Sequence, residues 1–203
     1  KWMQVYGRFF GSAGYGSAFM KWLITNKPKP YNSYGNGAAM RVSGCAYAAQ
    51  SLEEAKLLAK RVTEVTHNHP EGLKGAEATT VATYLALRGI SKEEIYQYIT
   101  QHYYALNFTL DDIREEYSFD VSCQGSVPQA LQAFFEATDF EDAIRNAISL
   151  GGDSDTIGAI TGAIAGAYYG IPKTIGENTL SFLDKRLVDV LSRFEEKYSN
   201  SKS

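Results

Sequence analysis

Residues Gly151–Gly170 read GGDSDTIGAITGAIAGAYYG. From Ile157 onward the segment is apolar, and Gly158, Gly162, Gly166 and Gly170 return every fourth residue beside a ridge of Ala159, Ala163 and Ala167. That spacing puts each set on one face of a helix. Each interior glycine gives up about 1 kcal/mol of helix propensity against alanine, so the ladder predicts another backbone packed close to it. Thr161 interrupts the apolar run and no positive charge adjoins it, which favours a central buried helix over a membrane helix. The start of such a helix lies where several helices meet, and there bundles build metal and ligand sites.

The flanking sequence is helical too. Ser51 with Glu54, Ser91 with Glu94 and Thr138 with Glu141 have capping-box spacing. Apolar residues follow each at helical intervals: Leu52, Ala55 and Ala59; Ile95 and Ile99; Ala143, Ile144 and Ala147. Ser126 is expected to cap a helix with Pro128 in its first turn and Leu131, Phe134 and Phe135 on its apolar face. Trp2, Val5, Tyr6 and Phe9 predict a first amphipathic helix, and Leu180, Leu183, Leu187, Leu191 and Phe194 a single last one. Short alternations near Phe108 and at Phe119–Val121 resemble strands but are too short to found a sheet. The reading is one all-α domain over residues 1–203, with about eight to ten helices. Gly11–Gly16 and Lys27–Gly37 are loops by composition. GSAGYG is not in GxGxxG order and no strand precedes it, which removes a dinucleotide-binding reading.

Composition removes other classes. The chain has 203 residues, 44% of them hydrophobic, enough for a sizeable core. A net charge of −3 argues against a basic nucleic-acid face. No apolar run spans a bilayer and the opening residues do not read as a signal peptide, so a cytoplasmic location and no membrane partner are expected. Cys45 and Cys123 stand in no metal or disulfide spacing and read as buried small hydrophobes.

Chemistry gathers in three segments. In GGDSDT, Gly151–Thr156, two glycines allow a sharp turn and two carboxylates and a hydroxyl crowd a helix start. Two readings stand. Asp153 or Ser154 caps the helix with Asp155 favoured by its dipole, or Asp153, Asp155 and Thr156 converge on a hard divalent cation. In SYGNGAAMR, Ser33–Arg41, a Gly/Asn turn runs into a helix. It is a plain turn with a cap, or its free N–H groups hold a phosphate. In THNHP, Thr66–Pro70, His67 and His69 are loop and capping residues, or they grip a ribose or phosphate. His102 carries no signal, and Thr109, Asp111 and Asp112 read as a short capped helix. A DxD-type sugar-nucleotide transferase would need an α/β framework that this pattern lacks.

The three segments in this order, with GSVPQALQAF at Gly125–Phe134, resemble the ADP-ribosylglycohydrolase family, including the dinitrogenase-reductase-activating glycohydrolases. The resemblance implies a compact all-α orthogonal bundle. It implies hydrolysis of the bond between ADP-ribose and a protein side chain or small acceptor, with two Mg²⁺ ions, or Mn²⁺, at the floor of a cleft. It places metal ligands at Asp153, Asp155 and Thr156, and substrate contacts at Ser33, Tyr34, Gly35, Asn36, Gly37 and His67. Met40 and Arg41 match as helix residues. The ions are expected to orient the ribose hydroxyls, with Asp153 and Asp155 as ligands first and as candidates for the catalytic base. The implied partners are ADP-ribosylated proteins or small ADP-ribose derivatives, and nucleic acid only as an ADP-ribosylated end.

The family's N-terminal GD motif, early glutamate and Thr-Asp-Asp run have no match in Lys1–Pro30. The expectation is that the chain is N-terminally truncated and, by itself, inactive for lack of those ligands. The alternative is a non-catalytic ADP-ribose-binding or structural relative.

Overall fold

The computed structural model describes residues 1–198. Its α-helices, in chain order, are α1 (Trp2–Phe9), α2 (Ser17–Ile24), α3 (Ser43–Ala48), α4 (Leu52–Thr63), α5 (Pro70–Leu87), α6 (Lys92–His102), α7 (Leu110–Ile113), α8 (Cys123–Glu136), α9 (Phe140–Ser149), α10 (Ser154–Tyr169), α11 (Lys173–Leu180) and α12 (Lys185–Tyr198). A 3-10 turn spans Asn36–Ala38. Among the described residues there is no strand, as the all-α reading expects. The strand-like pattern at Phe119–Val121 leads into one isolated antiparallel bridge, Gly35 with Ser122.

The centre is α5, α8 and α10, packed on one another, with α9 against α8 and α10 and α3 and α4 against α5. Val81 and Ala82 of α5, Val127, Leu131 and Phe134 of α8, and Ile157, Ile160 and Ile164 of α10 are fully buried. Each large side chain among them contributes roughly 1.5–3 kcal/mol by leaving water. Thr161, the polar break in α10, is buried and donates from its hydroxyl to the Ala130 carbonyl of α8 at 2.9 Å. Among the described residues no helix is long and apolar enough to cross a membrane.

The glycine ladder works differently from expectation. Cβ atoms on Gly158, Gly162 and Gly166 would meet Ile148, Ile144 and Ile171 side chains at 3.4, 3.0 and 3.1 Å. The glycines therefore form a groove for isoleucine side chains, mainly those of α9, and not a seat for another backbone.

Two helix starts are also corrected. Ser122, not Ser126, caps α8 by accepting from Gly125 N, so Pro128 lies inside the helix. Asp139, not Thr138, caps α9 by accepting from Asp142 N at 2.8 Å. Ser91 and Thr109 form full capping boxes, whereas Ser51 accepts from Glu54 N and Glu54 answers to Gln50 N–H. The expected last helix breaks into α11 and α12, because Asp184 accepts from Arg186 N at 2.9 Å and starts a new helix. The described residues hold twelve helices, against the eight to ten expected.

The periphery is lightly held. The α1–α2 pair is joined by Gln4 and Arg8 donating to the Leu23 carbonyl, while Trp2, Val5 and Phe9 stay exposed. α11 and α12 have no buried residue. α12 lays Phe194 over Gly44 of α3 and helps to enclose a cavity of about 790 Å³.

Candidate functional site

Gly151 and Gly152 join α9 to α10 with φ of 70° and 61°, a conformation that side chains with a Cβ resist. At Gly152 a Cβ would also lie 2.6 Å from Tyr117 Cε1 and 3.1 Å from the Ser118 carbonyl. The turn delivers Asp153 to the start of α10, yet Asp153 makes no side-chain cap there. Capping thus does not account for that carboxylate.

Asp153 is occupied across the fold. Asn36 Nδ2 donates to Asp153 Oδ2 at 2.6 Å and to Ser126 Oγ at 2.9 Å. The Ser126 hydroxyl donates onward to the Asp120 carbonyl at 2.9 Å. Both amide protons of the buried Asn36 are satisfied, which fixes its orientation. The backbone holds the same join, with Asn36 N donating to Val121 O at 2.7 Å and Cys123 N to Tyr34 O at 2.8 Å. On the other side, a Cβ at Gly72 of α5 would sit 2.7 Å from the Ser33 carbonyl, so glycine there lets the loop lie against α5.

The loop leaves part of its backbone unpaired. Gly35 N donates to Ser33 Oγ at 3.2 Å and Asn36 N is spent on Val121, whereas the N–H groups of Tyr34 and Gly37 have no acceptor among the described residues. Tyr34 is exposed and its ring meets that of His69 edge-on at 5.3 Å. His69 caps α5 through Nδ1, which accepts from Glu71 N. His67 is buried beside the loop, with Nε2 3.6 Å from where Cβ atoms on Gly35 and Gly37 would stand. Its Nδ1 faces Thr66 Oγ1 at 2.8 Å and Arg41 Nη2 at 3.3 Å. Burial, with help from the Arg41 charge, pushes its pKa down to about 4.

Asp155 is exposed and its Oδ1 accepts from Thr156 N at 2.9 Å. Thr156 is buried, with its hydroxyl 3.7 Å from Met40 Sδ. Asp153 Oδ1, Asp155 Oδ2 and Thr156 Oγ1 remain as hard oxygen donors. They fit the manner in which Mg²⁺ binds, through one or two carboxylates with retained water. Among the described residues no three His, Cys, Asp or Glu side chains form a group able to hold a metal. These donors by themselves are too few for two octahedral ions.

The structure therefore unites Asn36 with Asp153, and sets His67 against Gly35 and Gly37. It leaves Asp155 and Tyr34 outward, on an open surface. Cavities of about 720 and 580 Å³ lie elsewhere, beside α1 and between α9 and α11. Both cysteines are buried free thiols, as expected, with burial pushing Cys45 up to about 11 and Cys123 to about 12. Ser126, Tyr117 and Arg41 escaped the sequence reading as contributors. For Arg41 there was a signal: a charge among Ala38, Ala39 and Val42, all buried, requires polar partners.

The sequence model of the ADP-ribosylglycohydrolase family matches residues 2–201. The human ADP-ribosylhydrolase ARH3 is 29% identical over 185 residues, covering 68% of this chain and 51% of the relative. The ADP-ribosyl-[dinitrogen reductase] glycohydrolase of Rhodospirillum rubrum is 30% identical over 173 residues, covering 80% and 55%. A solved structure described as an ADP-ribosylglycohydrolase-related protein complex superposes with a TM-score of 0.65 at 30% identity, over 84% of this chain and 65% of that one. The chain spans about half the length of the curated relatives it matches.

Proposed function

The chain belongs to the ADP-ribosylglycohydrolase family, and from that premise we propose that it serves hydrolysis of the glycosidic bond between ADP-ribose and a protein side chain or small acceptor. The observation that carries the reading is the 2.6 Å bond between Asn36 and Asp153. It ties a loop suited to phosphate to an acidic turn suited to a cation, and that acid caps nothing. The relatives named as ADP-ribosyl hydrolases support the substrate class.

In this proposal the loop Ser33–Gly37 binds the diphosphate through the free N–H groups of Tyr34 and Gly37, and His67 adds a donor at Nε2. Asp153, Asp155 and Thr156 are the residues that would hold Mg²⁺ or Mn²⁺. When bound, that ion supplies positive charge to orient ribose hydroxyls and to offset negative charge near the reacting carbon. Asn36 fixes one oxygen of Asp153 and leaves the other for ligation. Asp153 and Asp155 serve first as ligands, and the two carboxylates are the candidates to take a proton from an attacking water. The water oxygen bonds to ribose C1, the bond from C1 to the acceptor breaks, and the acceptor leaves with a proton.

The two-carboxylate count favours keeping a second reading, an ADP-ribose-binding relative without turnover. Calorimetric titration of the chain with ADP-ribose, with and without Mg²⁺, tests the shared part. Binding that strengthens with Mg²⁺ and is lost in Asp153→Ala supports the site. Binding that ignores both refutes it. Release of ADP-ribose from an ADP-ribosylated protein then separates hydrolase from binder.

A further inference from the structure

His67 stands on a boundary between a packed interior and the ligand loop. Nδ1 is on the interior side, against Thr66 Oγ1 and Arg41 Nη2. Nε2 faces Gly35 and Gly37 and has no hydrogen-bond partner among the described residues. Arg41 Nη2 also donates to Thr66 Oγ1 at 2.7 Å. Arg41 makes no ion pair among the described residues and its Nε is buried without an acceptor. Burial lowers its pKa, but a guanidinium remains cationic and can only donate.

That geometry selects one form of the ring. A proton on Nδ1 could be accepted only by Thr66 Oγ1, whose own proton would then fall back on the Thr63 carbonyl at a long 3.4 Å, and it would point an N–H toward the Arg41 guanidinium, which offers no acceptor. With Nδ1 bare, the ring nitrogen accepts from the guanidinium and the Thr66 hydroxyl, and the proton resides on Nε2. The other groups facing the ring do not reverse this. Tyr31 lies 5.9 Å away between ring centroids, its phenol kept protonated by burial, and Gly72 of α5 brings no charge.

We propose that Arg41 is a positioning residue that holds His67 as the Nε2–H tautomer, so that the ring presents a fixed N–H donor to a phosphate or hydroxyl oxygen seated over Gly35 and Gly37. The identity of that ligand as ADP-ribose rests on the function proposed above; the tautomer does not. The donor is neutral, so its strength stays constant across neutral pH. Its aim comes from Arg41, a half-buried cation whose hydrogen bonds among the described residues go to Thr66 and His67.

Three histidines in the chain make the test direct. Long-range ¹H–¹⁵N correlation on the ligand-free, ¹⁵N-labelled chain reads the protonation of each ring nitrogen. The expected result for His67 is an unprotonated Nδ1, a protonated Nε2 and no titration between about pH 5.5 and 8. In Arg41→Met the tautomers mix and the His67 pKa rises, while the larger part of its depression, which comes from burial, remains. Arg41→Met also binds ADP-ribose about tenfold more weakly in the presence of Mg²⁺, and Arg41→Lys restores part of both. A wild-type spectrum with the proton on Nδ1, or with His67 titrating near 6.5, overturns the proposal whether or not any variant folds. So does Arg41→Met with an unchanged tautomer and titration. Failure of ADP-ribose to bind while the tautomer still depends on Arg41 supports the positioning role and refutes the proposed function.

Discussion

Replacing Asn36 by alanine removes the two donors that join the loop to the acidic turn. The lost bond to Asp153 involves a charged acceptor at 2.6 Å, of a kind that contributes about 1.5–3 kcal/mol. The lost bond to Ser126 at 2.9 Å is neutral and contributes about 1 kcal/mol. Asn36 is 5% exposed, so water replaces little at Ser126. Asp153 is half-buried and recovers some hydration. The net cost is expected at about 2–3 kcal/mol, which corresponds to a fall of roughly 4–12 °C in Tm for a chain of this size. Urea unfolding of Asn36→Ala, Ser126→Ala and the double variant measures it. Ser126→Ala should cost less than Asn36→Ala, and the double variant less than the sum, because the residues share a bond. A loss below about 0.5 kcal/mol for Asn36→Ala, a value ordinary for surface changes, would refute the claim that this side chain couples the two segments.

Stability should also report on His67. The ring is protonated below about 6.5 in the unfolded chain but only below about 4 in the folded one, so between those values the unfolded chain binds more protons. Its contribution is complete above pH 6.5 and falls as pH drops toward 4, by at most roughly 3 kcal/mol. Urea midpoints across that range should slope for the wild type and flatten in His67→Gln, and equal slopes would contradict the assignment. Gly152→Ala should cost about 2–4 kcal/mol, from its φ of 61° and the Tyr117 ring. Gly151→Ala, with positive φ but open space, should cost only about 1–2 kcal/mol, and thermal melts give the order. Asp155→Ala should change stability by less than about 1 kcal/mol, since that carboxylate engages only its neighbour's N–H. It should nevertheless abolish the Mg²⁺ dependence of ADP-ribose binding in calorimetry.

Local chemistry made the helices legible. Ser91 and Thr109 with their acidic partners, and the apolar spacing of α8, α9 and α10, act within a few residues and read directly. What failed was competition between neighbours. Asp139 displaced Thr138 as a cap, and Ser122 displaced Ser126, which the fold needed elsewhere as the partner of Asn36. The glycine ladder announced close packing but not what packs, since the isoleucines of α9 are known as its partners only once the turn at Gly151–Gly152 folds one helix back on the other. The site segments were each visible, but their union was not. Asn36 and Asp153 are 117 residues apart, and no periodicity encodes such a pair. The resemblance to a family joined them before the geometry did. The Arg41–Thr66–His67 cluster remained hidden because its three members look like helix and loop residues until burial removes every other partner.

The central claim is that the turn at Gly151–Thr156 holds a divalent cation beside the loop at Ser33–Gly37. Paramagnetic broadening of backbone amide signals by substoichiometric Mn²⁺ tests it on the chain as it stands. The expected result is that the amides of Asp153–Ile157 and of Asn36 and Gly37 broaden together, more strongly when ADP-ribose is added, and that Asp153→Ala removes the effect. Broadening centred on another acidic surface, or none near Asp153 with ADP-ribose present, would contradict it.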